Sequence, residues 1–596
     1  MVVTFNFLDL PAEVREQIYR HYFQVDGGYV HHVESDKLMT ADNHPIELSL
    51  LYTCRTIAHE ARHVPLSLNA IEFKTRYRPE SNNLAGCFNL VAFTYQLLQS
   101  ELTTLLAIAG AMTPEIRDRL ALEFPDFSQR LATALPSYED EHEYYSENPV
   151  GDRRISRSRS PLADDPDPSV NHIRQLRSTL CYSTQDALAE KASILYLSSG
   201  YYRGFSRLSR PYYHNWYWYW SNSFWEAEGA FSSALKLLAE HNPAEFSRQI
   251  NTNFPQWAGT YPPDEFLNLR FEHWEIPTPE KVKHAMDLLA IGDLWHLSGI
   301  WCDARSCCKN DDDDDMTSIN QPHRHHPVAG GIRCREKIRF SAVANAIQFL
   351  NTRFSVEQRL DIRSLILNED LPSVNSPSAH AQGLAPFYRE NPQLRVERRV
   401  DLMGCVFPAL ASPTHVADRI RDPGASPDEP EITGGMLRSR ITQWLLDALA
   451  VTDVGIPAEA FTLVLQAGSY KDYFADRFQR QIQEEIALCR AFKTINPEYP
   501  YARLTEPLYG SIQSTMIQEQ EVDALGILGN DNLSILRSDF NPGVEREFDT
   551  LINETSNHDA SEWFHAWSVL LGNIDQPPHQ VDYNTRLLEN FEVRTD

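Results

Sequence analysis

The residues whose types and spacing best suit chemistry are His59-Glu60-Ala61-Arg62-His63. They spell H-E-x-x-H, the pattern that sets two zinc-ligating imidazoles one helical turn apart with a glutamate base between them. At 100° per residue, His59 and His63 lie about 160° from Ala61, opposite the apolar stripe of their own helix. Pro65 then breaks that helix at once. Both imidazoles are therefore expected in solvent rather than beneath a cleft. A denser set of soft ligands follows in Cys302, Cys307, Cys308, His323, His325, His326 and Cys334, donors of the kind zinc prefers. Their order, Cys-x4-Cys-Cys, then five aspartates, then His-x-His-His, fits no paired-ligand spacing. No metal and no cofactor is expected.

His380, downstream of Glu369 and Asp370, has the residue types of a general-base pair. No Gly-x-Ser-x-Gly nucleophile turn accompanies it, and no glycine-rich phosphate loop is present. The reading is a structural histidine, and the chain is read as not an enzyme, with no catalytic residues. The run Trp216-Tyr217-Trp218-Tyr219-Trp220 is aromatic on both alternating faces and reads as buried rather than as a platform for bases, since only Arg203, Arg207 and Arg210 lie near it.

The elements that must position these groups belong to a long, acidic chain. It has 596 residues with 82 acidic against 54 basic, a net charge of −28, and that balance argues against coating nucleic acid, which needs a basic face. A hydrophobic fraction of 42% and aromatics at 11% suffice for packed cores. Nine cysteines in this length do not form a secreted disulfide framework. No signal-like N-terminus and no apolar stretch of spanning length is present. The expectation is a soluble intracellular protein, cytoplasmic or nuclear, with no nucleic-acid and no membrane partner.

Composition shifts divide the chain as 1–80, a first domain; 81–136, helical; 137–172, an acidic and Arg/Ser/Pro-rich linker; 173–302, helical and aromatic-rich; 303–333, an acidic, His-rich insertion; 334–408, an α+β segment; 409–435, a Pro/Asp/Ser-rich linker; and 436–596, helical. Helical periodicity dominates, as in Val343, Ile347 and Leu350 or in Ile441, Trp444, Leu445, Ala448 and Leu449. Strand-like alternation is confined to residues 69–73, 360–367 and 394–400. No repeat of fixed period appears. The predicted class is mainly α with a few short strands.

The first eighty residues carry the most information. Pro11 suits the first helical position and Glu13 its first turn. Val14, Ile18 and Tyr22 recur at i, i+4, i+8 and are read as the face that holds this helix to its own domain, with Arg15, Glu16 and Arg20 in solvent. A second helix over residues 50–61 carries Leu51, Cys54, Ile57, Ala58 and Ala61 in one stripe. Taken together, Leu10-Pro11-x-Glu13-Val14-Arg15-x-x-Ile18-Tyr19, then Leu50-Leu51-x-x-Cys54-Arg55-x-Ile57-x-x-Glu60-Ala61, then Asn69-x-Ile71-x-Phe73 resembles the F-box-like N-terminal domain of many filamentous-fungal proteins. The resemblance covers residues 5–75 and departs from a compact F-box where Gln24 to Glu47 separate the two helices.

That resemblance implies an F-box-like helical hairpin followed by a large helix-rich region. It implies that Leu8, Leu10, Pro11 and the face carrying Ile18 and Tyr19 meet the small adaptor of a cullin–RING ubiquitin ligase, while the rest of the chain recruits an unknown protein substrate. The alternatives are an interaction scaffold whose hairpin is purely structural and, third, a zinc metallohydrolase through His59, Glu60 and His63.

Overall fold

The structure is a computed structural model that describes residues 7–125, 127–128, 131–132, 223–292, 295, 301–303, 331–406, 413–421, 434–495, 517, 519–528, 535–544, 548–571, 585 and 588–595. The expected linker at 137–172 and the aromatic run Trp216–Trp220 lie outside the described residues, as do Cys307, Cys308, His323, His325 and His326. The predicted linker 409–435 contains a described helix, Pro413–Arg421.

The centre of the molecule is a seven-stranded sheet. Its strands are β1 (Tyr29–His32), β2 (Lys37–Thr40), β3 (Ile71–Lys74), β6 (Ser364–Glu369), β7 (Arg395–Asp401), β8 (Phe461–Gln466) and β9 (Leu536–Ser538), in the order β2-β1-β3-β6-β7-β8-β9. Only the β1–β2 hairpin is antiparallel; every other neighbour is parallel. A second sheet joins β4 (Cys302–Asp303), β5 (Ile332–Glu336) and β10 (Phe591–Thr595) in antiparallel pairs. The mainly α class predicted from the sequence is therefore corrected: this is an α/β fold, its parallel strands carried between helices. Helical residues outnumber strand residues, and strands of two to seven residues leave little periodic signal against that background.

From β3 onward the strand order follows the chain without reversal. Right-handed crossovers in a sheet built that way all fall on one face. Burial agrees: Leu365 and Leu367, Val396 and Val400, and Phe461, Leu463 and Leu465 point into the core, whereas Ile366, Asn368, Glu397, Arg399, Thr462 and Val464 between them are only part-buried. The covered face packs against helices α6 (Ala342–Arg353) and α7 (Gly434–Leu449) in one large core. A second core gathers around α4 (Asn82–Ile108) and α5 (Phe224–His241), with Phe88, Tyr95, Phe231, Trp257 and Phe266 at its centre.

The N-terminal hairpin has a small core of its own. It consists of α1 (Ala12–Phe23), α2 (Arg55–Ala61) and α3 (Val64–Leu68), joined through Tyr19, Phe23, Ile57, Ala61 and Val64. The expected single helix over 50–61 is broken: Ser49–Tyr52 forms a 3-10 turn, and Cys54, extended and exposed, opens α2. Pro65 does not simply end it but lies buried in the first turn of α3. The inserted residues Gln24 to Glu47 form the β1–β2 hairpin, so the segment read as a separate first domain supplies three of the seven strands.

Candidate partner-binding surface

Pro11 is the residue before α1, with φ −53° and ψ 146°, and its carbonyl accepts the amides of Val14 and Arg15. It ends the turn that begins with Phe7–Asp9. Arg15 fixes that turn. One of its Nη atoms bonds the carbonyls of Leu8 and Leu10, while Nε and the other Nη donate to the Glu60 carboxylate of α2 at 2.9 and 2.6 Å. Tyr19 Oη donates to the same carboxylate at 2.9 Å. These hydrogen bonds, Arg15 first, hold the Glu60 carboxyl below its ordinary range; burial and the bond to Glu60 push the Tyr19 phenol up to about 12. A charged fork thus ties turn, first helix and second helix into one unit.

The inner stripe of α1 is Arg15, Tyr19 and Phe23, not Val14, Ile18 and Tyr22. Tyr19 is 2% exposed, whereas Leu8, Val14, Ile18 and Tyr22 are 37%, 38%, 38% and 41% exposed. The reading of Val14, Ile18 and Tyr22 as the packed face is corrected: the two stripes lie about 100° apart on the helix, and the inner one was hidden by the charge of Arg15. Tyr19 as a partner contact is corrected too, since its ring is buried against Phe7 at 5.9 Å and its hydroxyl is committed to Glu60. Of the other residues proposed for the adaptor, Leu8, Pro11 and Ile18 face solvent and Leu10 is part-buried. Val14 and Tyr22, expected to face inward, are exposed beside them. The outcome is a row of apolar side chains along one helix, with the Tyr22 hydroxyl steadied by Ser49 at 3.1 Å. Such a row on a braced helix presents apolar area with little left to order on binding.

The groups that suggested catalysis are placed otherwise. His59 and His63 face solvent, and Glu60 is engaged by Arg15 and Tyr19, so the third reading has no base between its imidazoles. His380 does not meet Glu369 or Asp370. Its Nδ1 accepts the Ser341 hydroxyl at 2.6 Å and its Nε2–H donates to the Asn375 carbonyl at 2.8 Å. Burial holds its pKa well below the ordinary value, so it stays neutral. This has the spacing of a nucleophile and its base, but Ser341 is fully buried and also caps α6 by accepting the Ala344 amide at 3.0 Å. Glu369 is neutralised by Arg398 at 2.7 Å in an equally buried pair. The arrangement orients a helix and a turn, and the Ser341 and His380 side chains are both out of contact with solvent. Among the described residues no three potential ligands gather as a metal site, and no helix is long and apolar enough to cross a membrane.

No protein-family model, no curated protein and no solved structure matches this chain.

Proposed function

We propose that the chain acts by binding rather than by catalysis, as the substrate-recruiting subunit of a cullin–RING ubiquitin ligase whose N-terminal hairpin docks on the ligase adaptor. The observation that carries this reading is the exposed row of Val14, Ile18 and Tyr22 on α1, with Leu8 in the turn before it, beside an adjoining stripe of the same helix, Tyr19 and Phe23, that is packed. Apolar side chains on a braced helix are the anchors that helix-in-groove and helix-on-helix recognition require.

The test separates docking from stability. Ile18→Ala combined with Tyr22→Ala removes two anchors, and truncating a buried interface side chain costs about 1.5 to 3 kcal/mol. Co-purification of the adaptor should drop by at least about tenfold while the melting transition stays in place. Tyr19→Ala should instead lower the transition by about 3 kcal/mol or more, because it empties the small core. A wild-type chain that captures no adaptor from cell extract would transfer the reading to a scaffold whose hairpin is architectural. That second reading has its own support: β1 and β3 are integral to the central sheet, which gives the segment a structural duty whether or not it meets a ligase.

A further inference from the structure

Parallel sheets ordinarily bury both faces. Here the face turned away from α6 and α7 stays open even at its centre, where the side chains of Glu397 and Arg399 on β7 are 39% and 30% exposed. The register places Lys74 of β3, Asn368 of β6, Arg399 of β7, Val464 of β8 and Arg537 of β9 side by side in one row across five strands. Burial alternates so that each of them lies on the open face: their neighbours Phe73, Leu367, Val400, Leu463 and Leu536 are buried. This row carries three cations and no acid in a chain of net charge −28. The rows beside it on the same face are acidic, with Glu72 and Glu397 on one side and Asp401 on the other. Glu72 and Glu397 reach Lys74 at 3.7 Å and Arg399 at 2.6 Å.

The spacing of the cations selects a ligand. Lys74, Arg399 and Arg537 sit on every second strand, so successive cations are about 9.6 Å apart. A β-strand laid across them would point residues i and i+3 to opposite sides. A polyproline II helix has three residues per turn and rises about 9.3 Å per turn, which returns every third side chain to the same side at that interval. The acidic rows on either flank repel a carboxylate that slips off the cationic row, which makes register rather than total charge the selective quantity.

We propose that the open face of the central sheet docks a protein segment in polyproline II conformation with an acidic side chain at every third residue, its carboxylates over Lys74, Arg399 and Arg537. Binding displaces the Glu397–Arg399 and Glu72–Lys74 contacts within the strands, so affinity is modest and falls with added salt. The inference is independent of adaptor docking by α1, which uses other residues.

The experiment is fluorescence polarisation of the full chain with a labelled peptide of Glu-Pro-Pro repeats. The comparison probes are a Lys-Pro-Pro repeat and a peptide of the same composition with its glutamates contiguous. Saturable binding of the first probe is expected, with no binding of the lysine probe and at least about tenfold weaker binding of the contiguous one. Arg399→Glu and Arg537→Glu should each weaken binding by about tenfold or more, whereas Arg248→Glu, on the exposed side of another helix, should not. If Arg399→Glu loses its cooperative melting transition, Arg537→Glu on the exposed edge strand decides alone. Absence of binding by the wild-type chain, equal binding of the contiguous probe, or binding unchanged by Arg537→Glu overturns the proposal.

Discussion

Glu485 is a buried acid that shares one guanidinium with a second acid. It lies on the helix Glu484–Ile495, bonded to Arg438 of α7, while Glu521, on the helix Glu519–Leu528, stands 3.9 Å from Arg438 Nε and accepts the Thr442 hydroxyl at 2.8 Å. Burial pushes the Glu485 carboxyl up to about 7, against the pull of Arg438 and with the help of Glu521. The folded pKa thus exceeds the unfolded one, so between roughly pH 4.5 and 7 the folded chain holds a proton that the unfolded chain has lost, and this contribution to stability falls as pH rises through that window. Glu485→Gln should flatten the difference. Urea unfolding at pH 5 and pH 8 should show the variant gaining on the wild type by an amount on the order of a few kcal/mol at the higher pH; equal slopes would refute the assignment. Single residues of this kind were the least legible in the sequence. Glu485 reads as an ordinary solvated helix acid, and Arg15 likewise reads as surface until Glu60, forty-five positions away, supplies its partner. The apolar stripe of α1 was legible as a stripe, but which way it faced depended on that ion pair.

The connection from α1 into the sheet is set by glycine. Gly28 has φ +70°, and a Cβ there would stand 2.5 Å from the Ala70 carbonyl oxygen, the oxygen that accepts the Tyr29 amide and brings β1 alongside β3. Gly28→Ala therefore meets both an unfavourable backbone region and a backbone atom with no freedom to retreat. It should cost about 1 to 3 kcal/mol, read as a lower melting temperature; an unchanged transition would mean that β1 is not held this way. Elements with a clean period were legible: the alternation at 69–73 and 394–400 became β3 and β7, and Val343, Ile347 and Leu350 lie on the buried side of α6. The stretch read as a strand over 360–367 divides into the end of a helix at Asp361 and the strand β6 from Ser364. Phe461–Gln466 alternates as plainly as the others, but it is one six-residue run set between helical segments. What no local pattern carries is that these strands are neighbours, since β3 pairs with β6 across all the residues from Lys74 to Ser364.

At the scale of the molecule, the question is whether the first eighty residues are a module attached to a body or part of the body. β1 and β3 close one side of the sheet; Tyr29, Ile71 and Phe73 are buried in the main core, each worth about 1.5 to 3 kcal/mol of burial. Beyond the sheet, Thr75 bonds Asp370 at 2.5 Å, Arg76 and Phe340 exchange backbone hydrogen bonds at 2.8 and 3.0 Å, and Asn345 of α6 reaches both His31 and the Lys74 carbonyl. Removing residues 1–78 would strip a strand from β6, leave its edge open and expose the apolar side of α6, a surface prone to aggregate. Removing residues 1–24 takes away only α1 and the turn before it, leaving β1 and β3 in place. The shorter deletion should keep the main cooperative unfolding transition and lose adaptor binding, whereas the longer one should give an insoluble chain or one without a cooperative transition, measured by calorimetry and size exclusion. If residues 79–596 instead melt as the full chain does, the N-terminal segment is a detachable domain and the shared sheet contributes nothing to the stability of the rest. The contrast follows from topology: a segment that lends strands to the centre cannot be exchanged as a unit, because β1 and β3 pair in the same sheet as β6 to β9.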